Sequence, residues 1–83
     1  MDNNTFHKLA RGSWQRDMLK AMLSTAGCHS PAYLLQGKAK LYLNRYNNSF
    51  QSILQRVRNA GYKINVTPGP RGGEYGSIYR INF

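Results

Sequence analysis

Two short runs of alternating side chains near the C-terminal end constrain the fold more than any other feature of the sequence. In residues 62–67, Ile64 and Val66 alternate with polar side chains, and residues 77–83 alternate again. Residues 68–76 between them are rich in Pro and Gly. Alternating runs around such a stretch predict a β-hairpin. Because the connection is too long for a two-residue turn, we expect its tip to project from the body of the protein.

Helical periodicity marks the segments upstream of the hairpin. Apolar side chains recur at spacings of three and four in residues 13–26, which is typical of a helix packed on a core. Ser13 is the expected N-cap of this helix, and Gly27 its stop. A second, short helix is predicted from Ser30 to Gly37, since Ser is a good cap and the Pro after it suits the first helical position.

A third helix is predicted for residues 50–60. Its apolar side chains form one stripe: Phe50, Ile53, Leu54 and Val57. We interpret residues 47–49, Asn-Asn-Ser, as a turn followed by the cap of this helix. Residues 38–46 fit both a strand and a helix, and the pattern does not choose between them.

The charge balance points to a polyanionic partner. The 83 residues make one domain, and 12 Lys or Arg against three acids give a net charge of +9. Repulsion among these positive charges does not stabilise a folded domain, so their excess suggests a negatively charged partner. Nucleic acid is the first candidate, and an anionic membrane surface is the second. No apolar run is long enough to span a membrane. Residues 1–12 are predicted to be a flexible basic arm, from which Lys8 and Arg11 could contact phosphate.

The sequence offers few groups for catalysis. Cys28 is the one cysteine, so neither an internal disulfide nor a cysteine-rich zinc site is expected. The three acids are scattered, and His7 and His29 lie far apart along the chain. We therefore expect no enzymatic activity, no metal and no cofactor. The N-terminal stretch lacks an apolar signal core, so a cytoplasmic location is expected, close to the nucleoid if the partner is DNA.

The third helix carries the residues expected to bind nucleic acid. It contains no acid, whereas ordinary solvated helices mix both charges. Amides and guanidinium groups bond base edges, and Arg also bonds phosphate. The candidates on and beside the helix are Ser49, Gln51, Ser52, Gln55, Arg56, Arg58, Asn59 and Lys63. The other candidates are Lys38 and Lys40 upstream, with Arg71 and Tyr75 in the hairpin connection, where an Arg could enter a minor groove.

This order of elements resembles a known family. A helix, a short helix, a longer helix ending in Asn59-Ala60-Gly61-Tyr62 and a hairpin ending in Ile78-Tyr79-Arg80-Ile81 resemble the winged helix-turn-helix regulators. The resemblance implies an α+β fold in residues 13–83, with three helices followed by a C-terminal β-hairpin wing. It also implies double-stranded DNA as partner, with the third helix in the major groove. A small phage or mobile-element regulator, or an architectural factor, is the type implied, and a homodimer is compatible with it.

Two other functions stay open from the sequence. A small basic protein with six Tyr suits RNA, because exposed aromatic side chains can stack on unpaired bases. A winged helix can also serve as a protein-interaction module, in which case the positive charge would face a protein partner. Preference among duplex DNA, single strands and RNA would separate these alternatives.

Overall fold

The computed structural model describes residues 1–30, 40–69 and 77–82 of the chain. Within these ranges, three α-helices pack with a three-stranded antiparallel sheet. The helices are Asn3–Leu9 (α1), Ser13–Leu23 (α2) and Lys40–Asn59 (α3), and the strands are Cys28–His29 (β1), Lys63–Thr67 (β2) and Ile78–Asn82 (β3). The fold is α+β, as predicted. The short helix expected from Ser30 to Gly37 falls, beyond its first residue, outside the described residues.

The N-terminal residues form a helix rather than the flexible arm that we expected. Asp2 caps α1, since its Oδ1 accepts a 2.7 Å hydrogen bond from the N–H of Thr5. Hydrogen bonding from the Thr5 side chain, and then from its backbone N–H, holds the pKa of the Asp2 carboxyl below its usual value. Leu9 and Ala10 at the other end are buried in the core. The expectation was wrong because packing against the rest of the protein, and not local polarity, decides whether a short helix forms.

Helix α2 begins and ends slightly differently from the prediction. Gly12 occupies the N-cap position, Ser13 is the first helical residue, and the helix ends at Leu23 rather than residue 26. The stripe of Met18, Leu19 and Met22 is buried, as the spacing predicted.

Helix α3 is a single helix of 20 residues. The turn and cap expected at residues 47–49 are wrong, since these residues lie inside the helix, which therefore does not begin at Phe50. Residues 40–46, which fitted both a strand and a helix, are helical. The apolar stripe explains the continuity, because half-buried Leu43 and Tyr46 extend the same face upstream from Phe50. Packing of that face outweighs the modest helix propensity of Asn.

The sheet has the order β1-β3-β2 and contains the predicted hairpin. In the β2–β3 pair, Ile64 lies opposite Ile81, and Val66 lies opposite Tyr79. Strand β1 adds Cys28 opposite Tyr79 on the other side of β3. This strand was not predicted, because two residues are too few to show an alternating pattern. Residues 70–76 of the hairpin connection lie outside the described part of the chain.

The core lies between α2, α3 and one face of the sheet. Phe50, Ile53 and Val57 of α3 are at most 1 % exposed. The ring of Phe50 meets that of Tyr79 edge to face, with centroids 4.8 Å apart. Since this contact fixes the buried side of α3, it also fixes which of its side chains face solvent.

Candidate nucleic-acid interface

From Asn44 onward, the solvent side of α3 consists of amide and guanidinium groups, and the exposed Leu41 and Tyr42 precede them. From Asn44 to Asn59, every exposed side chain is Asn, Gln or Arg. At 1.5 Å per residue this stretch is about 22 Å long. We call this set the polar face of α3, and its members are Asn44, Arg45, Asn47, Asn48, Gln51, Gln55, Arg58 and Asn59. These groups offer donors and acceptors in a continuous row, and none carries a negative charge.

No carboxylate of the described residues belongs to the polar face. Helix α3 contains no Asp or Glu. Asp2 is occupied in capping α1. Asp17 lies on α2, where its charge contributes to raising the pKa of Tyr46, after the larger effect of burial. The polar face is therefore positively charged with no nearby acid on its own helix to neutralise it.

Arg56 does not belong to the polar face, because its guanidinium already has partners inside the protein. Its Nη1 donates to Gln15 Oε1 at 2.5 Å and to the carbonyl oxygen of Leu9 at 3.3 Å. The same Gln15 Oε1 accepts a 2.8 Å bond from the backbone N–H of Arg11. Gln15 itself is only 8 % exposed. We call this arrangement the Gln15 clasp, and it joins α3 to the segment where α1 meets α2.

The hairpin follows directly on the C-terminal end of α3. Gly61, at a φ of 95°, leads the chain out of the helix, and Lys63 is the first residue of β2. Lys63 is exposed, and Asn65 and Arg80 lie opposite each other in the register, on the face away from the core. Arg80 Nη1 donates to the carbonyl oxygen of Thr25 at 3.0 Å. The base of the hairpin thus places a further cation, Lys63, just beyond Asn59.

Of the twelve predicted site residues, the structure places four on the polar face of α3 and two at its margins. Gln51, Gln55, Arg58 and Asn59 are exposed, whereas Ser49 and Ser52 are half-buried at the margins. Lys40 is the first residue of the helix. The candidates Lys38, Arg71 and Tyr75 lie outside the described residues.

Three amides of the polar face were missed from the sequence. Asn44, Asn47 and Asn48 lie on the face, but the segment was interpreted as a turn or left unassigned. The sequence did indicate a continuous helix, because residues 38–60 contain neither Gly nor Pro. A continuous helix through this stretch would have placed the three amides beside Gln51 and Gln55.

Aromatic side chains gather near the beginning of α3. The ring of Trp14 lies 5.3 Å from that of Tyr46 and 6.2 Å from that of Tyr42, between centroids. Tyr42 is 57 % exposed and its neighbour Leu41 is 64 % exposed. This end of the helix is therefore more apolar than the polar face downstream of it.

The described residues provide little for metal or nucleophilic chemistry. Among them, no three His, Cys, Asp or Glu side chains come together closely enough to bind a metal ion. Cys28 is buried, its Sγ lies 3.4 Å from the carbonyl oxygen of His29, and burial raises the pKa of the thiol to about 11. A thiol with such a pKa is a poor nucleophile at neutral pH. Within the same residues, no helix is both long and apolar enough for a bilayer.

Comparison with known proteins adds no relative to this picture. No protein-family model, no curated protein and no solved structure matches the chain. The geometry and chemistry of α3 and of the elements around it therefore carry the functional conclusion.

Proposed function

We propose that this protein binds double-stranded DNA through the polar face of α3, as a transcription regulator or an architectural factor. The observation that carries the proposal is that the exposed side chains from Asn44 to Asn59 are all amide or guanidinium. Asn and Gln can bond adenine through two hydrogen bonds, and Arg can bond guanine or phosphate. An α-helix about 10–12 Å across fits the major groove, which is about 12 Å wide.

The arrangement of the other elements supports a winged helix-turn-helix as the finer description of the fold. Helix α3 leads into the β2–β3 hairpin, and β1 completes a sheet of order β1-β3-β2. This order is compatible with such a domain, in which the hairpin would be the wing. With α3 in the major groove, the wing would lie along the adjacent backbone or minor groove.

Salt dependence tests the proposal. The affinity of the wild-type protein would be measured for duplex DNA, single-stranded DNA and duplex RNA over a range of salt concentrations. We expect duplex DNA to be preferred, with a slope of log K against log salt of about −0.9 for each phosphate neutralised. A flat slope, or no binding at low salt, would refute DNA binding and leave the charge to a protein partner.

A matched pair of variants localises the interface. Arg58→Gln and Lys20→Gln each remove one exposed positive charge, but Lys20 lines a cleft between α1 and α2 with Met1 and Phe6. If α3 binds the duplex, Arg58→Gln weakens binding and Lys20→Gln changes it little. Gln55→Ala, which alters no charge, is expected to reduce discrimination at a selected site by about 1–3 kcal/mol. Equal effects of the two charge variants would place the interface elsewhere.

One observation favours RNA or single-stranded DNA as a second candidate. Tyr42 is more than half exposed beside Trp14, and an exposed aromatic ring can stack on an unpaired base. Under this alternative, Tyr42→Ala would lower affinity for single strands more than Arg58→Gln does. A preference for duplex DNA in the same titrations would reject it.

A further inference from the structure

The segment between α1 and α2 is held against α3 by the Gln15 clasp. We call this segment, together with the last two residues of α1 (residues 8–12 in all), the corner. Leu9 and Ala10 anchor it in the core. Arg56 reaches from α3 to the carbonyl oxygen of Leu9, and Arg11 shares the acceptor of Arg56 through its own backbone N–H. The corner therefore has a defined position beside α3.

The clasp places the corner at one margin of the polar face. Arg56 lies one helical turn from Ser52 and one turn from Asn59, and these residues lie on the same side of the helix. Phe50, on the opposite side of α3, packs against Tyr79 of the sheet. The corner thus borders the C-terminal half of the polar face.

Exposed cations lie at the corner without a carboxylate beside them in the sequence. Arg11 and Lys8 are both exposed, and Lys8 lies in the last turn of α1. Asp2 caps the other end of α1, and the charge of Lys8 has the smallest of the effects that lower the pKa of its carboxyl. Asp17 acts on Tyr46 near the beginning of α3. Because Arg11 joins the clasp through its backbone, that contact leaves its guanidinium available to a ligand.

We infer that Lys8 and Arg11 form a second contact with the phosphate backbone of the duplex that α3 binds. This inference rests on the proposed function. With α3 in the major groove, a strand of the backbone runs along each margin of the helix, and the corner lies at one of them. The Gln15 clasp holds the corner there before DNA arrives, so binding does not have to order a flexible arm. The ligand chemistry is that of phosphodiester groups, which carry no sequence information.

The test compares Arg11→Gln, the double variant Lys8→Gln/Arg11→Gln and the control Lys20→Gln. None of these substitutions removes a side chain or a backbone group of the Gln15 clasp. Salt titrations on duplex DNA should show the slope reduced by about 0.9 for Arg11→Gln and about 1.8 for the double variant. If the slope falls by 0.9, the ratio of wild-type to variant affinity is about three- to fourfold larger at 50 mM salt than at 200 mM salt. Lys20→Gln should keep the wild-type slope.

The outcomes separate this inference from the proposed function. If the wild-type protein binds duplex DNA and Arg58→Gln weakens it, but Arg11→Gln behaves like Lys20→Gln, the corner does not contact the backbone and only this inference is overturned. If the wild-type protein shows no salt-dependent binding, the proposed function fails and this inference with it. Equal melting temperatures of Arg11→Gln and Lys20→Gln would exclude misfolding as the cause of a reduced slope.

Discussion

At the scale of single residues, Gln15 links two parts of the chain, which its place in the sequence does not suggest. An amide in the first turn of a helix is usually solvated, yet Gln15 is buried and its Oε1 accepts from both Arg11 N and Arg56 Nη1. Arg56 was expected to face nucleic acid because it lies on an acid-free helix. Its internal bonds arise from contacts between residues 41 positions apart, which no local pattern reveals.

Removal of the shared acceptor should destabilise the protein. In Gln15→Ala, the guanidinium of Arg56 and the N–H of Arg11 both lose a partly buried hydrogen bond, so we expect the free energy of unfolding to fall by about 1–3 kcal/mol. Gln51→Ala is the control, because Gln51 is exposed and its replacement should change stability by no more than about 0.5 kcal/mol. Urea unfolding measures both. Equal stabilities of the two variants would show that the clasp contributes nothing.

At the scale of elements, the sequence predicted amphipathic patterns well and boundaries poorly. The buried stripes of α2 and α3 and the β2–β3 hairpin follow from spacing alone, because a core needs one continuous apolar face from each element. The beginning of α3 did not follow, since an Asn-Asn-Ser sequence also suits a turn. Helix α1 and strand β1 depend on long-range partners, and their few residues show no pattern. Four of the eight residues of the polar face were therefore among those predicted from the sequence, and the other four were missed with the upstream part of α3.

The continuity of α3 can be tested at Asn48, in the middle of the helix. Asn48→Pro should destabilise the protein by about 3 kcal/mol or more, because proline removes a backbone donor and clashes with the preceding turn. Asn48→Ala should instead raise stability by a few tenths of a kcal/mol, as expected for an exposed helical site. Thermal unfolding followed by circular dichroism compares the two. If proline were tolerated there, residues 47–49 would form the turn that the sequence suggested.

At the scale of the whole molecule, a thin core supports a large excess of positive charge. Twelve Lys or Arg stand against three acids in 83 residues, and the described residues contain two of those acids. The described core has eleven buried apolar residues drawn from every helix and from two of the strands. Such a domain is expected to be only marginally stable, so that small changes in its buried groups are measurable.

Raising the pH changes the charge of one buried group, the thiol of Cys28. Burial raises the pKa of Cys28 to about 11, so the folded state favours the neutral thiol. The stability that the folded state gains from holding the thiol neutral is fully present below pH 9, the ordinary pKa of a cysteine thiol. It is lost as the pH rises from 9 to 11. The melting temperature of the wild-type protein should therefore fall more steeply across this window than that of Cys28→Ala. Lysine deprotonation affects both proteins alike, so parallel curves would contradict a buried thiol.

The most direct test of the central claim is an NMR titration of the ¹⁵N-labelled protein with duplex DNA, observing the side-chain amide groups. The signals of Asn48, Gln55 and Asn59 report on the polar face, and that of Asn3, which lines the cleft between α1 and α2, is an internal control. If α3 enters the major groove, the NMR signals of the three polar-face amides shift on addition of duplex, while the signal of Asn3 does not change. Shifts confined to Asn3, or no shift in the three, would contradict binding through α3.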